Sequence, residues 1–374
     1  MVLMYLIALL SIAVHACYIG SKVVVSLLAL ELGASQLLIG VLAALYAVMP
    51  LMLGVYSGRL ADTIGMRVPM LVGAAFATVA MLCGFAWQAL AALFVTATLM
   101  GAAFVFYNVS IQNLAGAFGR PEERARNFNI LTIGYSVSTF IGPMIAGFSI
   151  DYAGHAWAFL IFALLTLVPI AVLTFYPRLV RVPLHKLERE ERRALDLLRS
   201  PPLRSVIVMS GLMVAGYELF GFYMPVFGYS IGLSASTIGV IMGTYATATF
   251  ATRFVLPLIL RRLQPQQVLF AFMLLAAGGF LVMPFLRGVY AIMLVTFAIG
   301  FGMGVGQPIS MTMAFNRSPA GRTGEVTGLR LTANNLARIV IPLTAGALGT
   351  AFGMVPVFWM NAVNLSAVSW LARR

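Results

Sequence analysis

The chain has 374 residues, 61% of them apolar and only 9% charged, with a mean hydropathy of +0.98. Soluble domains run at roughly 45–50% apolar and about 25% charged, so the composition excludes a soluble enzyme, and continuous apolar runs without in-and-out alternation exclude a β-barrel. The net charge of +13 leaves no free basic face for nucleic acid, because the basic residues lie between apolar runs.

A membrane helix needs about 20 apolar residues, and lipid offers no partner to an unpaired backbone group, so each run must close its own hydrogen bonds as a helix. Runs separated by Gly, Pro or charge fall at 4–31, 35–58, 68–88, 90–113, 126–150, 155–177, 205–231, 235–260, 266–285, 288–314, 324–349 and 352–371. They predict an all-α membrane protein with twelve transmembrane helices. The first run is read as a retained helix, since it outlasts a signal core of about 7–15 residues and no charged segment precedes it.

The first span carries Ser11, His15, Tyr18 and Lys22 at helical spacing, one polar stripe. Arg59, Arg67, Arg120, Arg124 and Arg126 follow in the next connections of one side. Asn108 and Gln112 lie in the fourth span, Glu218 in the seventh, Gln307 in the tenth, and Arg330, Asn334 and Arg338 along one face of the eleventh. At a ~1.5 Å rise per residue, Lys22 and Glu218 lie roughly 18 Å, and Arg338 roughly 20 Å, from the nearer basic boundary. A charge at that depth costs about 2.5–3.5 kcal/mol on insertion scales, so these residues are candidates for function. For the amides, helix–helix hydrogen bonding is the competing reading, and His15 alone reads as an interior histidine rather than a proton carrier.

One side collects nineteen of the twenty-four basic residues, including Arg373 and Arg374, and the other connections hold only Arg287. The positive-inside rule then predicts a multi-pass protein of the cell (inner) membrane with both termini cytoplasmic. The long connection 178–204, with Glu188 and Arg192 at i,i+4 and Leu187, Ala194, Leu195 and Leu198 near one face, is expected to lie on the inner interface as an amphipathic helix.

A shift of 199 residues superposes Tyr18 on Tyr217, Gly33 on Gly232, Ser35 on Ser234, Ile39-Gly40-Val41 on Ile238-Gly239-Val240, Tyr46 on Tyr245, Gly101 on Gly300, Pro143 on Pro342 and Ala146-Gly147 on Ala345-Gly346. This predicts two pseudo-symmetric six-helix halves, 1–177 and 205–374, joined by a linker at 178–204. Paired halves of this kind are how many secondary transporters are built.

Gly58-Arg59-Leu60-Ala61-Asp62-Thr63-Ile64-Gly65-Met66-Arg67 resembles the G-x-L-A-D-r-x-G-r-k loop of the major facilitator superfamily. Gly134, Gly142-Pro143 and Ala146-Gly147 in the fifth span are similar to that superfamily's antiporter signature, and Pro342 to Gly346 repeat its end. The resemblance covers the whole chain and implies a drug- or metabolite-efflux transporter working by alternating access. It implies that Gly58, Asp62 and Arg67 form a conformational latch, with Asp62 set against the start of the eleventh helix at Thr323-Gly324-Glu325. Glu325 would oppose Asp62 unless paired with Arg126 or Arg322. Gly58 is expected to allow a close helix approach, and Gly142, Pro143, Gly147, Pro342 and Gly346 a hinge. Two departures stand out: Ala97 replaces the family's helix-4 arginine, and 257–262 keeps Arg261 and Arg262 without the Asp or Gly.

Since the resemblance makes helices 1 and 7 face each other, a Lys22–Glu218 contact is expected, the alternatives being a snorkelling Lys22 or a Glu218–Tyr217 bond. Three deep cations against one acid favour an anionic or zwitterionic small-molecule substrate, with Glu218 as the proton-coupling residue. Proton-coupled efflux is the first expectation, with an uptake symporter or uniporter for organic anions as the alternative. Cys17 and Cys83 stand apart, and His15, His155 and His185 form no ligand spacing, so no metal, cofactor or enzymatic constellation is expected. The expected partners are the substrate, protons and the lipid bilayer, with the chain a monomer.

Overall fold

A computed structural model describes residues 2–117, 124–176, 194–319 and 322–373. Among them the regular structure is helical throughout: α1 (Val2–Glu31), α2 (Gln36–Ile64), α3 (Arg67–Ala86), α4 (Leu90–Ala117), α5 (Arg124–Ala153), α6 (His155–Phe175), α7 (Pro201–Ser230), α8 (Ala235–Ile259), α9 (Pro265–Val282), α10 (Val289–Gly304), α11 (Gly306–Asn316), α12 (Thr323–Phe352) and α13 (Met354–Ala372). Short 3-10 turns cover Ala194–Arg199 and Met283–Phe285. Eleven spans of the described residues are long and apolar enough to cross a bilayer, α10 and α11 together making one of them. The threonine-rich α8, which carries Arg253, is the twelfth long element. This is the twelve-helix architecture expected from the apolar runs.

The tenth predicted span differs by a break at Val305. Its cause is Pro308, which donates no N–H and whose ring collides with the carbonyl four residues back; that residue is Gly304, the last of α10. The seventh span begins earlier than expected, because Pro201 and Pro202 open α7 rather than closing the linker. Of the linker, 177–193 lie outside the described residues. Ala194–Arg199 is a 3-10 turn instead of a continued α-helix, with Leu197 buried.

The chain divides into two compact units. Unit 1 comprises Met1–Ala34, Leu45–Glu188 and Leu233–Val240; unit 2 comprises Ser35–Ala44, Arg189–Gly232 and Ile241–Arg374. In unit 1, α1 packs on α5 and α6, and α3 on α4 and α6. In unit 2, α7 packs on α12 and α13, and α9 on α10 and α13. These are the same neighbours under the 199-residue shift. The turns repeat too: Gly33 and Gly232 (φ 78° and 80°), and Gly154 and Gly353 (φ 86° and 81°), hold matching left-handed positions that a side chain would strain.

Arg67, expected in the latch, caps α6: its Nε and Nη2 donate to the carbonyls of Leu173 (2.8 Å) and Thr174 (3.1 Å). Those are final carbonyls of a helix, where a cation is favoured by the helix dipole. The close approach expected at Gly58 is not found, since a Cβ there would meet only Val109 Cγ1 at 4.0 Å. The Asp62 side chain and those of Thr323, Gly324 and Glu325 lie outside the described residues, and with them the proposed Asp62 contact and the pairing of Glu325 with Arg126 or Arg322.

Candidate functional site

In unit 1 the polar stripe of α1 meets an aromatic wall. Lys22 is 2% exposed, so it does not snorkel. Its Nζ lies 4.5 Å from the Tyr18 ring centroid and 5.9 Å from that of Tyr46, within cation–π range. Tyr46 donates from its hydroxyl to Ser21 Oγ at 3.0 Å. Tyr18 stacks on Phe104 (centroids 4.2 Å apart), and the His15 ring lies 4.6 Å from Tyr135. Tyr135 in turn donates to Asn108 Oδ1 at 2.6 Å and also reaches Gln112. Ser11 donates to its own helix at the Ala8 carbonyl, 2.7 Å away. A small cavity is lined by Ser11, His15, Phe104, Tyr107, Asn108 and Tyr135.

Unit 2 adds an ion pair between α7 and α12. Glu218 on α7 is 5% exposed, and its Oε1 lies 3.2 Å from Arg338 Nε on α12. The two charges touch without an aligned Nε–H hydrogen bond. Arg338 is thus a cation in contact with Glu218. Two turns earlier on α12, Arg330 is 8% exposed and donates through Nη2 to Gln307 Oε1 at 2.9 Å. Asn334, between the two arginines, accepts from Ser210 Oγ at 3.0 Å. Among the described residues no carboxylate reaches Arg330, and its partner is a neutral amide. Arg338 is neutralised; Arg330 is a buried positive charge.

The repeat relates the two sets. Asn108 corresponds to Gln307, Ser11 to Ser210, Tyr135 to Asn334, Tyr18 to Tyr217 and Tyr46 to Tyr245. Each unit therefore holds an amide oxygen that takes one donor from its α5 or α12: a tyrosine in unit 1 and an arginine in unit 2. Tyr135 and Ser210 were absent from the sequence expectations, although the shift from Asn334 and Ser11 points to both. Asn361 and Asn364 on α13 were missed as well. Their Nδ2 groups donate to the carbonyls of Gly216 (3.3 Å) and Leu212 (2.9 Å), bracing α7 next to Glu218. Among the described residues no group of three or more His, Cys, Asp or Glu could hold a metal ion.

The residues expected to form a hinge are close backbone contact points. A Cβ on Gly142 would lie 2.7 Å from the Ala16 carbonyl, and one on Gly346 2.7 Å from that of Gln36. Gly147 faces the Ala235 carbonyl, and the Pro143 and Pro342 carbonyls face Gly239 and Gly40.

A family model described as Major Facilitator Superfamily matches residues 2–342. The chain belongs to that superfamily. It is therefore a membrane transporter and not an enzyme. The vesicular acetylcholine transporter of Drosophila melanogaster is 24% identical over 348 residues, which are 89% of this chain and 60% of that protein. The chain thus spans about three-fifths of that relative's length. Among solved structures, a variant of the nucleoside transporter NupG matches with a TM-score of 0.82 at 12% identity over 99% of each chain. A variant of the peptide transporter POT matches at 0.81 and 15% identity, over 99% of this chain and 93% of that one. A bacterial homologue of the human lysosomal transporter Spinster matches at 0.74 and 14% identity, over 99% and 96%. At these identities the likeness is one of fold alone.

Proposed function

We propose that this superfamily member moves a small organic anion or zwitterion by alternating access, coupled to protons and running as efflux. The observation that carries the substrate class is Arg330, 8% exposed and bonded to the neutral Gln307. A buried charge without a counter-charge is costly unless a ligand supplies one, and a guanidinium fork suits a carboxylate or phosphate. Glu218 carries the proton in this reading. Protonation removes its charge, breaks the pair with Arg338, and leaves a second cation to attract the substrate. The spaced glycines and Pro143 of α5, similar to the antiporter signature, support efflux; uptake of the same anions is the alternative direction. In this orientation the arginine-rich connections and both termini face the cytoplasm, and the monomer is the working unit in the inner membrane.

A cationic substrate is the second reading. It is favoured by the name of the acetylcholine-transporting relative and by the Tyr18 and Tyr46 rings, which hold the Lys22 ammonium in unit 1.

Transport into vesicles reconstituted with the full chain separates these readings. Under an imposed pH gradient, organic anions are expected to drive counterflow and choline esters are not. Arg330→Gln is expected to raise the anion KM at least tenfold, and Glu218→Gln to abolish pH-driven accumulation while exchange persists. Uphill transport unchanged in Glu218→Gln overturns the coupling role. Anion affinity unchanged in Arg330→Gln overturns the substrate class.

A further inference from the structure

Lys22 is a buried cation of α1 to which neither Arg330 nor Glu218 gives a duty. It is enclosed together with Tyr18 and Tyr46, which are themselves buried. Its Nζ lies within cation–π range of both rings, and the rings meet edge-on with centroids 5.6 Å apart. An ammonium removed from water is costly unless something replaces its hydration, and the negative faces of aromatic rings do so within about 6 Å. Each ring is fixed by a contact of its own. Tyr18 stacks on Phe104, and the Tyr46 hydroxyl donates to Ser21 Oγ. Neither anchor involves Lys22, so the cage keeps its walls when the amine is taken away.

The repeat shows that such a ring pair does not require a lysine at this place. Tyr217 and Tyr245, the counterparts of Tyr18 and Tyr46, stand with centroids 6.0 Å apart. The counterpart of Lys22 is Gly221, where a Cβ would meet nothing within 4 Å among the described residues. In unit 2 it is Arg253 of α8 that interacts electrostatically with Tyr217. The counterpart of Arg253 is Gly54, whose Cβ position is likewise open to 4 Å among the described residues. Each unit thus brings a cation to its tyrosines, from α1 in unit 1 and from α8 in unit 2, and carries glycine at the other's position. What recurs is positive charge beside the rings; what varies is the helix that supplies it. That pattern marks the rings of unit 1 as a cation site filled by the chain itself.

We propose that Lys22 is the resident ligand of an alkylammonium site and thereby a specificity-determining residue: its own ammonium occupies the Tyr18–Tyr46 cage and bars substrates that carry one. The fitting ligand is a small primary ammonium, because the atoms lost in Lys22→Ala, Cγ to Nζ, are those of n-propylammonium. In its consequence for selectivity this rests on the anion reading, to which it adds exclusion. Arg330 attracts a carboxylate or phosphate, and Lys22 denies an ammonium its rings. The two fail separately: unchanged anion affinity in Arg330→Gln overturns the anion reading and leaves the cage untouched, since occupancy is read from an amine and between variants at position 22.

The test measures binding of radiolabelled n-propylammonium to the full chain in lipid nanodiscs. Lys22→Ala is expected to bind it about tenfold tighter than the unsubstituted protein does. Lys22→Met refills the cage with a side chain of similar length and no charge, and is expected to show no gain. Tyr18→Leu added to Lys22→Ala is expected to remove the gain. Equal binding by Lys22→Ala and the unsubstituted chain overturns the proposal. So does an equal gain in Lys22→Met, which would assign the effect to charge alone, or a gain that survives Tyr18→Leu. If Lys22→Ala yields no folded protein by itself, n-propylammonium present during extraction is expected to restore the yield where n-propanol does not, and failure of that rescue overturns the proposal as well.

Discussion

Arg330 and Arg338 stand two turns apart on one face of α12, yet their surroundings give them different duties. Removing one member of a buried ion pair strands the other charge, at a cost of about 3–5 kcal/mol when both are fully enclosed. Arg338 keeps 23% of its side chain exposed, so Arg338→Ala is expected at the low end, about 3 kcal/mol. Its thermal unfolding in detergent is expected to fall by several degrees, and adding Glu218→Gln is expected to restore most of the loss. No recovery in the double variant would mean that the pair is not coupled. Arg330→Gln removes a charge that has no counter-charge among the described residues, and is expected to leave unfolding unchanged or raise it. The deep charges were legible from the sequence because an ionised group inside an apolar run is costly wherever it points. The Glu218–Arg338 pair was not, since the two residues are distant in sequence and side-chain direction decides such a contact. Asn361 and Asn364 escaped notice for a related reason: single amides in apolar helices are ordinary until a facing carbonyl is seen.

Glycine in a membrane helix is informative only where another backbone presses on it. The Ala16 carbonyl sits 2.7 Å from a Cβ built on Gly142, whereas a Cβ on Gly58 has 4.0 Å to its nearest neighbour. Gly142→Ala is expected to push α1 from α5 and cost about 1–3 kcal/mol, lowering folded yield and thermal midpoint. Gly58→Ala is expected to change neither, and a matching loss in both would show that the distinction fails. The motif had singled out both glycines, but spacing does not tell which helix face is crowded. Helix boundaries were legible to within a few residues wherever charge or Gly ended an apolar run. The break at Val305 was not, because Pro308 lies among apolar residues and interior prolines are tolerated elsewhere, as at Pro50, Pro143 and Pro169. Gln307, which receives Arg330, sits beside that break, so a discontinuity in the tenth span places the acceptor.

The offset of 199 residues told which helices would share neighbours, and the pairs around α1 and α3 recur around α7 and α9. It was silent on one point of assembly: Leu233–Val240 packs into unit 1, and Ser35–Ala44 into unit 2. Severing the chain in the 178–204 connection would therefore give two pieces, each missing a stretch of its own interior. Made separately, 1–177 and 205–374 are expected to be degraded or to aggregate; made together, they are expected to co-purify as a stable assembly. A well-behaved, independently folded half would contradict this. Each compact unit thus includes a helix tip encoded in the other half of the sequence, and the polypeptide behaves as a reciprocal exchange, in which neither unit is whole until the other half has been synthesised.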